Sequence, residues 1–475
     1  MLDAASAPAG LDALEARLRR DLMLLEWPAK PWVPPRERDG RPVADVVIVG
    51  AGMCGLTAAA ALRLLGVERV RVLDRAPEGA EGPWVTFARM ETLRSPKTLA
   101  GPALGLPALT FRAWFEAQWG SAAFDALGKI PRVMWMDYLR WYRRVMGIAV
   151  GNGVIVTAIA DAGEGLLRVE TEGAGVIHAR RVVLATGRDG LGGPYLPEVA
   201  FNLPPALRAH SKDMIDFAAL KGRRVGVIGA GASAFDNAGE ALEAGCAELH
   251  MFVRRPALPR VNAFTGIGSQ GVVHGFHGLS DAWKWRFLDH VLRVQTPPPR
   301  ESVLRVSRHA NARLHLSSPI VSLEHRDGVA VLTTPKGRFE LDLVIFATGF
   351  RVDLAQRPEL AAFAPHIRFW RDRFTPPPGL ENGELADSPD LAPDFAFQEK
   401  TPGTCPALSR IHCFNYPATL SHGKLSGDIP AVSEGAWRLA QGIVRHLFTE
   451  DAAPHFAALQ AFDTPELKGD EWPTT

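Results

Sequence analysis

Residues 11–25, LDALEARLRRDLMLL, set leucines at helical spacing with charged residues between them. They predict an amphipathic helix, read here as packing on the protein's own core. A Pro-rich linker, WPAKPWVPPRERDGRP, follows. ADVVIVG (Ala44 to Gly50) is a short Val/Ile run closed by glycines and predicts a buried parallel strand. MCGLTAAAALRLLG predicts a helix and RVRVLD (Arg69 to Asp74) the next strand, which makes one βαβ unit. The same pattern returns as RRVGVIG (Arg223 to Gly229), SAFDNAGEALEAG and AELHMFVRR (Ala247 to Arg255). Two more apolar strands resemble each other, RRVVLATGR (Arg180 to Arg188) and LDLVIFATGF (Leu341 to Phe350). Alternating stretches at 150–172 and 329–341 read as hairpins or meanders. Segment 262–300 is rich in Gly, His and aromatics around a helix near SDAWKWRFLDHVLRV, and 353–400 looks loop-rich. SEGAWRLAQGIVRHLF (Ser433 to Phe448) is the last predicted helix.

Composition narrows the class. The 475 residues carry Lys+Arg 53 against Asp+Glu 52, a net charge of +1, so the basic excess of a nucleic-acid or anionic-membrane binder is missing. Four cysteines, none in a C-x-x-C pair, do not make a disulfide scaffold, a zinc ribbon or a dithiol motif. The first residues lack a signal-peptide pattern and no run is long enough to span a bilayer. A cytoplasmic protein is the expectation, with no nucleic acid and no membrane as partner. The sequence leaves the oligomeric state open, a homo-oligomer included.

The chemistry sits in the turns. Gly50, Gly52 and Gly55 have the G-x-G-x-x-G spacing. The first permits a tight turn, the second lets a pyrophosphate approach the backbone, and the third lets helix and strand pack closely. The helix N-terminus then offers N–H groups to phosphate. Asp74, ending the next strand, suits ribose hydroxyls and repels a 2′-phosphate, so this unit is expected to bind FAD or NAD. The second unit supplies Gly229, Gly231, Ser233 and Ala234. Its strand runs into Arg254 and Arg255, which can clamp a 2′-phosphate, so NADPH is expected there. NADH would fit if both arginines are merely solvated. The histidines of HGFHG alternate instead of lying one turn apart on a helix, so no metal site is expected.

Together these motifs resemble the two-dinucleotide flavoproteins, in which ATG-type strands mark the two crossings between domains. The implied fold class is α/β, with two Rossmann-like dinucleotide-binding domains and the NADPH domain inserted into a discontinuous FAD domain. The expected divisions are a helix and linker at 1–43, the FAD domain at 44–200, and the NADPH domain at 201–340 with a substrate-side insertion at 262–300. The FAD domain then resumes with the C-terminal helix at 341–475. Without a cysteine pair the disulfide reductases fit poorly. Single-fingerprint aromatic hydroxylases lack the second nucleotide unit.

EGPW (Glu81 to Trp84), GASA from Gly231 and FATGF are similar to segments of class B flavin monooxygenases. TLRSPK (Thr92 to Lys97), IPRVMWMDYLRW (Ile130 to Trp141) and PRVNAF (Pro259 to Phe264) are similar to segments of the N-hydroxylating amine monooxygenases. The F-x-G-x-x-x-H signature of Baeyer–Villiger and flavin-containing monooxygenases is degraded, since LPPALRAHS keeps only His210 and Ser211. A further similarity is to the bacterial FAD-dependent urate hydroxylases, which share the two-dinucleotide layout.

The resemblance implies that Trp84, Thr186 and Asp428 join the FAD site, with the helix after Asp428 aimed at the flavin. It implies an FAD-dependent, NADPH-using monooxygenase. One oxygen atom from O2 would enter a small polar substrate through a flavin C4a-(hydro)peroxide, by N-hydroxylation of an amine or hydroxylation of an anionic N-heterocycle such as urate. No side chain is then an obligate catalyst. Arg94 and Lys97 are the candidates nearest the chemistry, and Asn262, Phe264, His274 and His277 are the substrate-side candidates. The alternative is an NAD(P)H:acceptor flavoprotein reductase without oxygen insertion.

Overall fold

A computed structural model describes residues 9–472. Val46, Val47 and Ile48 are fully buried because the Ala44–Val49 strand lies in the middle of a sheet covered on both faces. It pairs in parallel with Val70–Asp74 on one side and with the second half of Gly175–Leu184 on the other. Val150–Asn152 and Ile411–Cys413 extend the parallel sheet at its two ends. The first half of Gly175–Leu184 turns away into an antiparallel meander with Leu166–Glu172 and Ile155–Gly163. The helix Met53–Leu64 presents Ala58 to Ala61 inward, and these small side chains let helix Val432–Glu450 lie close against it. The C-terminal segment therefore returns to complete the first sheet and its covering layer.

The second sheet has five parallel strands in the order Arg208–His210, Leu343–Phe346, Arg224–Ile228, Glu248–Phe252 and Ala312–His315. A three-stranded meander, Ser322–Arg326, Val329–Thr334 and Gly337–Leu341, packs on one of its faces. Leu343–Phe346 lies between two strands of this sheet, so the sheet runs past the boundary expected at residue 340. The reason is that all four residues of the strand are buried and need neighbours on both sides. The chain passes between the sheets twice, and the two passages pair with each other as the antiparallel ribbon Gly192–Pro194 and Phe350–Val352.

Helix Gly10–Leu24 buries Leu14 and Leu18 in the first core. The 262–300 segment was expected as an insertion of the second domain, and there the packing differs. Phe276, Trp285 and Leu288 form a small core with Trp370, Leu385 and Leu420. The segment therefore docks on the C-terminal part of the chain, because that is where aromatic partners of matching size lie. Among the described residues no helix is long and apolar enough to cross a membrane.

Candidate active site

Both glycine turns are built against the crossings. Gly50 has φ +103°, and a Cβ there would meet the Ala185 carbonyl oxygen at 2.5 Å. Gly229 has φ +140°, and its Cβ would meet the Ala347 carbonyl oxygen at 2.6 Å. Each first glycine thus lies under the alanine of one ATG strand, and the two nucleotide units repeat one construction. Gly55 packs so tightly on Gly50 that a side chain would meet the Gly50 carbonyl oxygen. Helix Met53–Leu64 starts at Gly52 and helix Ala232–Glu243 at Gly231, and neither N-terminus has a side-chain cap. Both ends leave backbone N–H groups for an anion.

The first turn opens into a groove whose polar groups fit a dinucleotide. The Asp74 carboxylate accepts from the Ala51 N–H at 2.7 Å and the Ala76 N–H at 2.8 Å, which places it beside the glycine turn. Gly82 comes within close range of Gly52 across the groove. The Trp84 indole N–H is buried beside Gly82 with no partner among the described residues. A buried donor without an acceptor is costly, and a bound ligand would supply one. Thr186 Oγ donates to the Gly190 carbonyl at 3.2 Å and accepts from the Asn415 amide at 3.2 Å. Asp428 leads through a 3-10 turn, Ile429–Ala431, into helix Val432–Glu450, and its carboxylate lies 3.4 Å from Lys424. The residues therefore fit FAD in this groove.

Around Asp428 and Arg94 stand Arg188, Tyr416 and Glu384, which the sequence did not single out. The Arg188 guanidinium lies over the Tyr416 ring, 4.2 Å from its centroid. Arg188 draws the Tyr416 phenol down, but burial with the Glu384 and Asp428 carboxylates outweighs it and holds the phenol above its usual range. Glu384 is reached by solvent yet hemmed in by protein, and burial raises its carboxyl against the pull of Arg188. Burial lowers the Arg94 guanidinium, with Asp428 opposing and Arg188 adding to the shift. Cys54 donates its thiol to the Ser426 carbonyl at 3.3 Å, and burial beside Asp428 pushes it up to about 12. It stays a protonated thiol, not a redox nucleophile. Among the described residues all four cysteines are free. Arg188 could have been found as the residue directly after the first ATG. Glu384, inside a loop-rich stretch, had no signal.

The remaining candidates scatter. Lys97 donates to the Phe124 carbonyl at 2.5 Å and the Asp125 carbonyl at 2.9 Å, so it caps a helix end and does not face the groove. Arg94 donates to the Pro297 carbonyl at 2.6 Å and stays at the groove through Asp428. Phe264 carries the Lys424 ammonium 4.6 Å from its ring centroid, and the Asn262 side-chain oxygen is buried without a partner, so this loop reaches the groove's edge. His274 is exposed and bonds only Gln270, and His277 stacks on His422 in a separate cavity. Neither stands at the groove, because the 262–300 segment docks by its aromatic residues and carries both histidines away from it. On the second unit Ser233 is exposed and Ala234 buried. Arg254 is exposed, while Arg255 donates to the Arg293 carbonyl at 3.0 Å and ties the strand end to the insertion. Retained His210 donates Nε2–H to the Gly349 carbonyl at 2.9 Å and accepts the Lys212 N–H on Nδ1, which pins the second crossing. Among the described residues no group of His, Cys, Asp and Glu could hold a metal ion.

Two nucleotide-type turns joined through a paired double crossing define a flavoprotein fold of the two-dinucleotide class. Residues 47–263 match the model of the pyridine nucleotide-disulphide oxidoreductase family. Over 465 residues, 98% of each chain, the protein is 43% identical to the FAD-dependent urate hydroxylase of Xanthomonas campestris pv. campestris. The chain belongs to the family of that hydroxylase. Among solved structures, the L-lysine 6-monooxygenase of Pseudomonas syringae is similar with a TM-score of 0.65 and 19% identity, covering 85% of this chain and 99% of that one. The ornithine hydroxylase of Pseudomonas aeruginosa has a TM-score of 0.64 and 17% identity, covering 85% and 100%. At that identity both speak to the fold alone.

Proposed function

We propose that the protein is an FAD-dependent, NADPH-using monooxygenase whose substrate is a small anionic N-heterocycle of the urate type. The observation that carries this reading is the identity along the whole chain to a urate hydroxylase, together with a groove that fits FAD residue by residue. FAD, when bound, supplies hydride acceptance from the nicotinamide and activation of O2. Gly50, Gly52 and the uncapped start of Met53–Leu64 would hold its pyrophosphate, Asp74 would take a ribose, and the Trp84 N–H would find an acceptor. Gly229, Gly231 and the Ala232–Glu243 N-terminus would do the same for NADPH. The C-terminal return adds Ile411–Cys413 to the first sheet and brings Ser426 beside Cys54 of the first helix of that unit.

Arg188 and Arg94 favour an anion at the groove. Arg188 has no carboxylate within ion-pair distance among the described residues, and its guanidinium carbon lies 4.2 Å from the Tyr416 ring centroid. A planar anion can be held there by charge and stacking together. An amine substrate would be repelled by the same pair. Oxygen uptake by the yellow holoprotein, screened with urate, other purines, ornithine, lysine and ketones, tests this. Urate-dependent NADPH and O2 consumption with a hydroxylated purine product is expected. NADPH oxidation coupled only to quinones or dyes would make the protein a reductase instead.

The nicotinamide assignment makes a separate prediction. Arg254 is free at the strand end, whereas Arg255 is committed to the Arg293 carbonyl. Losing a charge-assisted contact to the 2′-phosphate costs roughly 1.5–3 kcal/mol. Arg254→Ala is therefore expected to raise the NADPH KM by about 10- to 100-fold and leave the NADH KM unchanged. Arg255→Ala should have the smaller effect. An unchanged NADPH KM in Arg254→Ala would remove the 2′-phosphate assignment.

A further inference from the structure

Away from the flavin groove, a cavity of about 310 Å³ lies between the insertion and the C-terminal segment. Lys284, Arg373, His277, Gln398, Ser421 and Trp370 are among its lining residues. It shares none of its lining with the groove residues described above. Behind its wall the Trp370 indole is fully covered, with the Lys284 ammonium 5.9 Å and the Arg373 guanidinium 5.4 Å from the ring centroid.

The charges do not balance. Arg373 is paired with Asp281 at 2.7 Å and with Asp390 at 2.7 Å. The other oxygen of Asp390 takes Arg368 at 2.6 Å. Arg438, on the far side, is hydrogen-bonded to His422 Nδ1 at 3.4 Å and to the Val273 carbonyl at 3.2 Å. Each nearby carboxylate is therefore already taken. Lys284 is only 5% exposed, and among the described residues its ammonium has neither an ion pair nor a hydrogen-bond acceptor. The ammonium is reached from the cavity, so an anion entering there meets a cation that has no partner of its own. Burial and Arg373 also lower the Lys284 ammonium from its usual range.

The hydrogen-bonding groups add a second requirement. His277 Nδ1 lies 3.1 Å from the Ser421 carbonyl, which can only accept, so Nδ1 carries the proton. Burial keeps this imidazole neutral, which leaves Nε2 as an acceptor. Gln398 lines the cavity, and its side-chain amide offers both a donor and an acceptor. Leu279, Leu391, Ala392 and Pro393 supply apolar walls.

We propose that this cavity is a second binding site, distinct from the flavin groove, for a small organic anion that also carries an N–H or O–H donor. The anion pairs with Lys284, its body lies against Leu279, Ala392 and Pro393, and its donor is available to His277 or Gln398. Carboxylates on an aromatic body and anionic purines share this chemistry, and titration separates them.

Isothermal titration of the FAD-loaded protein with urate, and separately with p-hydroxybenzoate in saturating urate, tests the site. If the purine is the ligand, wild type takes two equivalents of urate and p-hydroxybenzoate does not bind. If the carboxylate is the ligand, p-hydroxybenzoate binds alongside one equivalent of urate. In either case Lys284→Met should weaken the second event at least tenfold, with FAD content and the NADPH KM unchanged. Lys284→Met should also melt no lower than wild type without ligand, since an ammonium with no partner of its own has been replaced by an apolar chain of similar volume. Gln398→Leu provides an independent variant that weakens the same event. The proposal is overturned by a single equivalent that neither variant affects. It is also overturned if Lys284→Met abolishes the only urate site together with turnover, for then the cavity would be the reaction site itself.

Discussion

Gly50→Ala is expected to yield protein that holds less than about one-hundredth of the wild-type affinity for FAD and has no measurable NADPH-dependent oxygen uptake. The new Cβ would lie 2.5 Å from the Ala185 carbonyl oxygen, a backbone atom that cannot rotate away. The φ of +103° adds strain that an L side chain does not tolerate cheaply. Forcing the turn off the crossing costs about 3 kcal/mol, which corresponds to roughly a hundredfold in affinity. The visible flavin spectrum after gel filtration, with FAD titrated back, measures it. Gly52→Val separates ligand from fold. Gly52 has an extended backbone, and its Cβ would meet only Gly82 Cα at 3.7 Å, so the protein should fold and melt normally. Its branched side chain should still occupy the path of the pyrophosphate and leave the protein colourless. A yellow Gly52→Val protein with normal turnover would place the cofactor elsewhere.

The largest loss of stability is expected from Asp451→Asn. Arg180 is fully buried inside the first sheet, and its guanidinium donates to Asp451 at 2.6 Å and to Glu450 at 3.1 Å. The other Asp451 oxygen takes Arg36 at 2.6 Å, and Glu450 also pairs with Arg181 and Arg410. Four cations thus converge on two carboxylates at the end of the C-terminal helix. Removing one carboxylate leaves a buried charge short of its partner, which costs about 3–5 kcal/mol. Denaturant midpoints at neutral pH should fall accordingly, and a change within experimental error would contradict the assignment. The pH dependence has a definite sign. Burial opposes ionisation of Asp451, but Arg180 and Arg36 outweigh it and hold the native carboxyl below its usual range. The unfolded chain then binds the proton first as pH falls. This stabilisation is full above the ordinary aspartate range, about pH 4, and disappears as pH falls through the native value. Asp451→Asn should flatten that part of the acid-unfolding curve.

Much of the site was legible because its parts are local. Gly50, Gly52 and Gly55 follow a Val/Ile strand, and Asp74 closes the next one, so the order strand, turn, helix, acid could be read in a single pass. The paired alanines of the ATG strands were legible as a repeat, but their contact with Gly50 and Gly229 was not. Lys97 misled because a lysine three residues beyond an arginine looks like a cationic patch, whereas its ammonium serves the carbonyls of Phe124 and Asp125. His274 and His277 misled because the 262–300 segment has no periodicity that says which core its aromatics will join. Arg180 and Arg181 read as a polar start to an apolar strand, and nothing nearby indicates that both are buried.

The sequence by itself determined the two βαβ units, their glycine turns, the repeated crossing strands and the lack of a redox cysteine pair. These depend on steric rules that act over a few residues: φ above zero at glycine, alternation along a strand, and a 3.6-residue helical period. The tertiary structure alone decided which charges are buried together, where the insertion docks, and that Arg188, Tyr416 and Glu384 stand around Asp428 and Arg94. Those contacts join residues separated by hundreds of positions. Whether they stabilise depends on desolvation and on the partners that surround each group once the chain is folded.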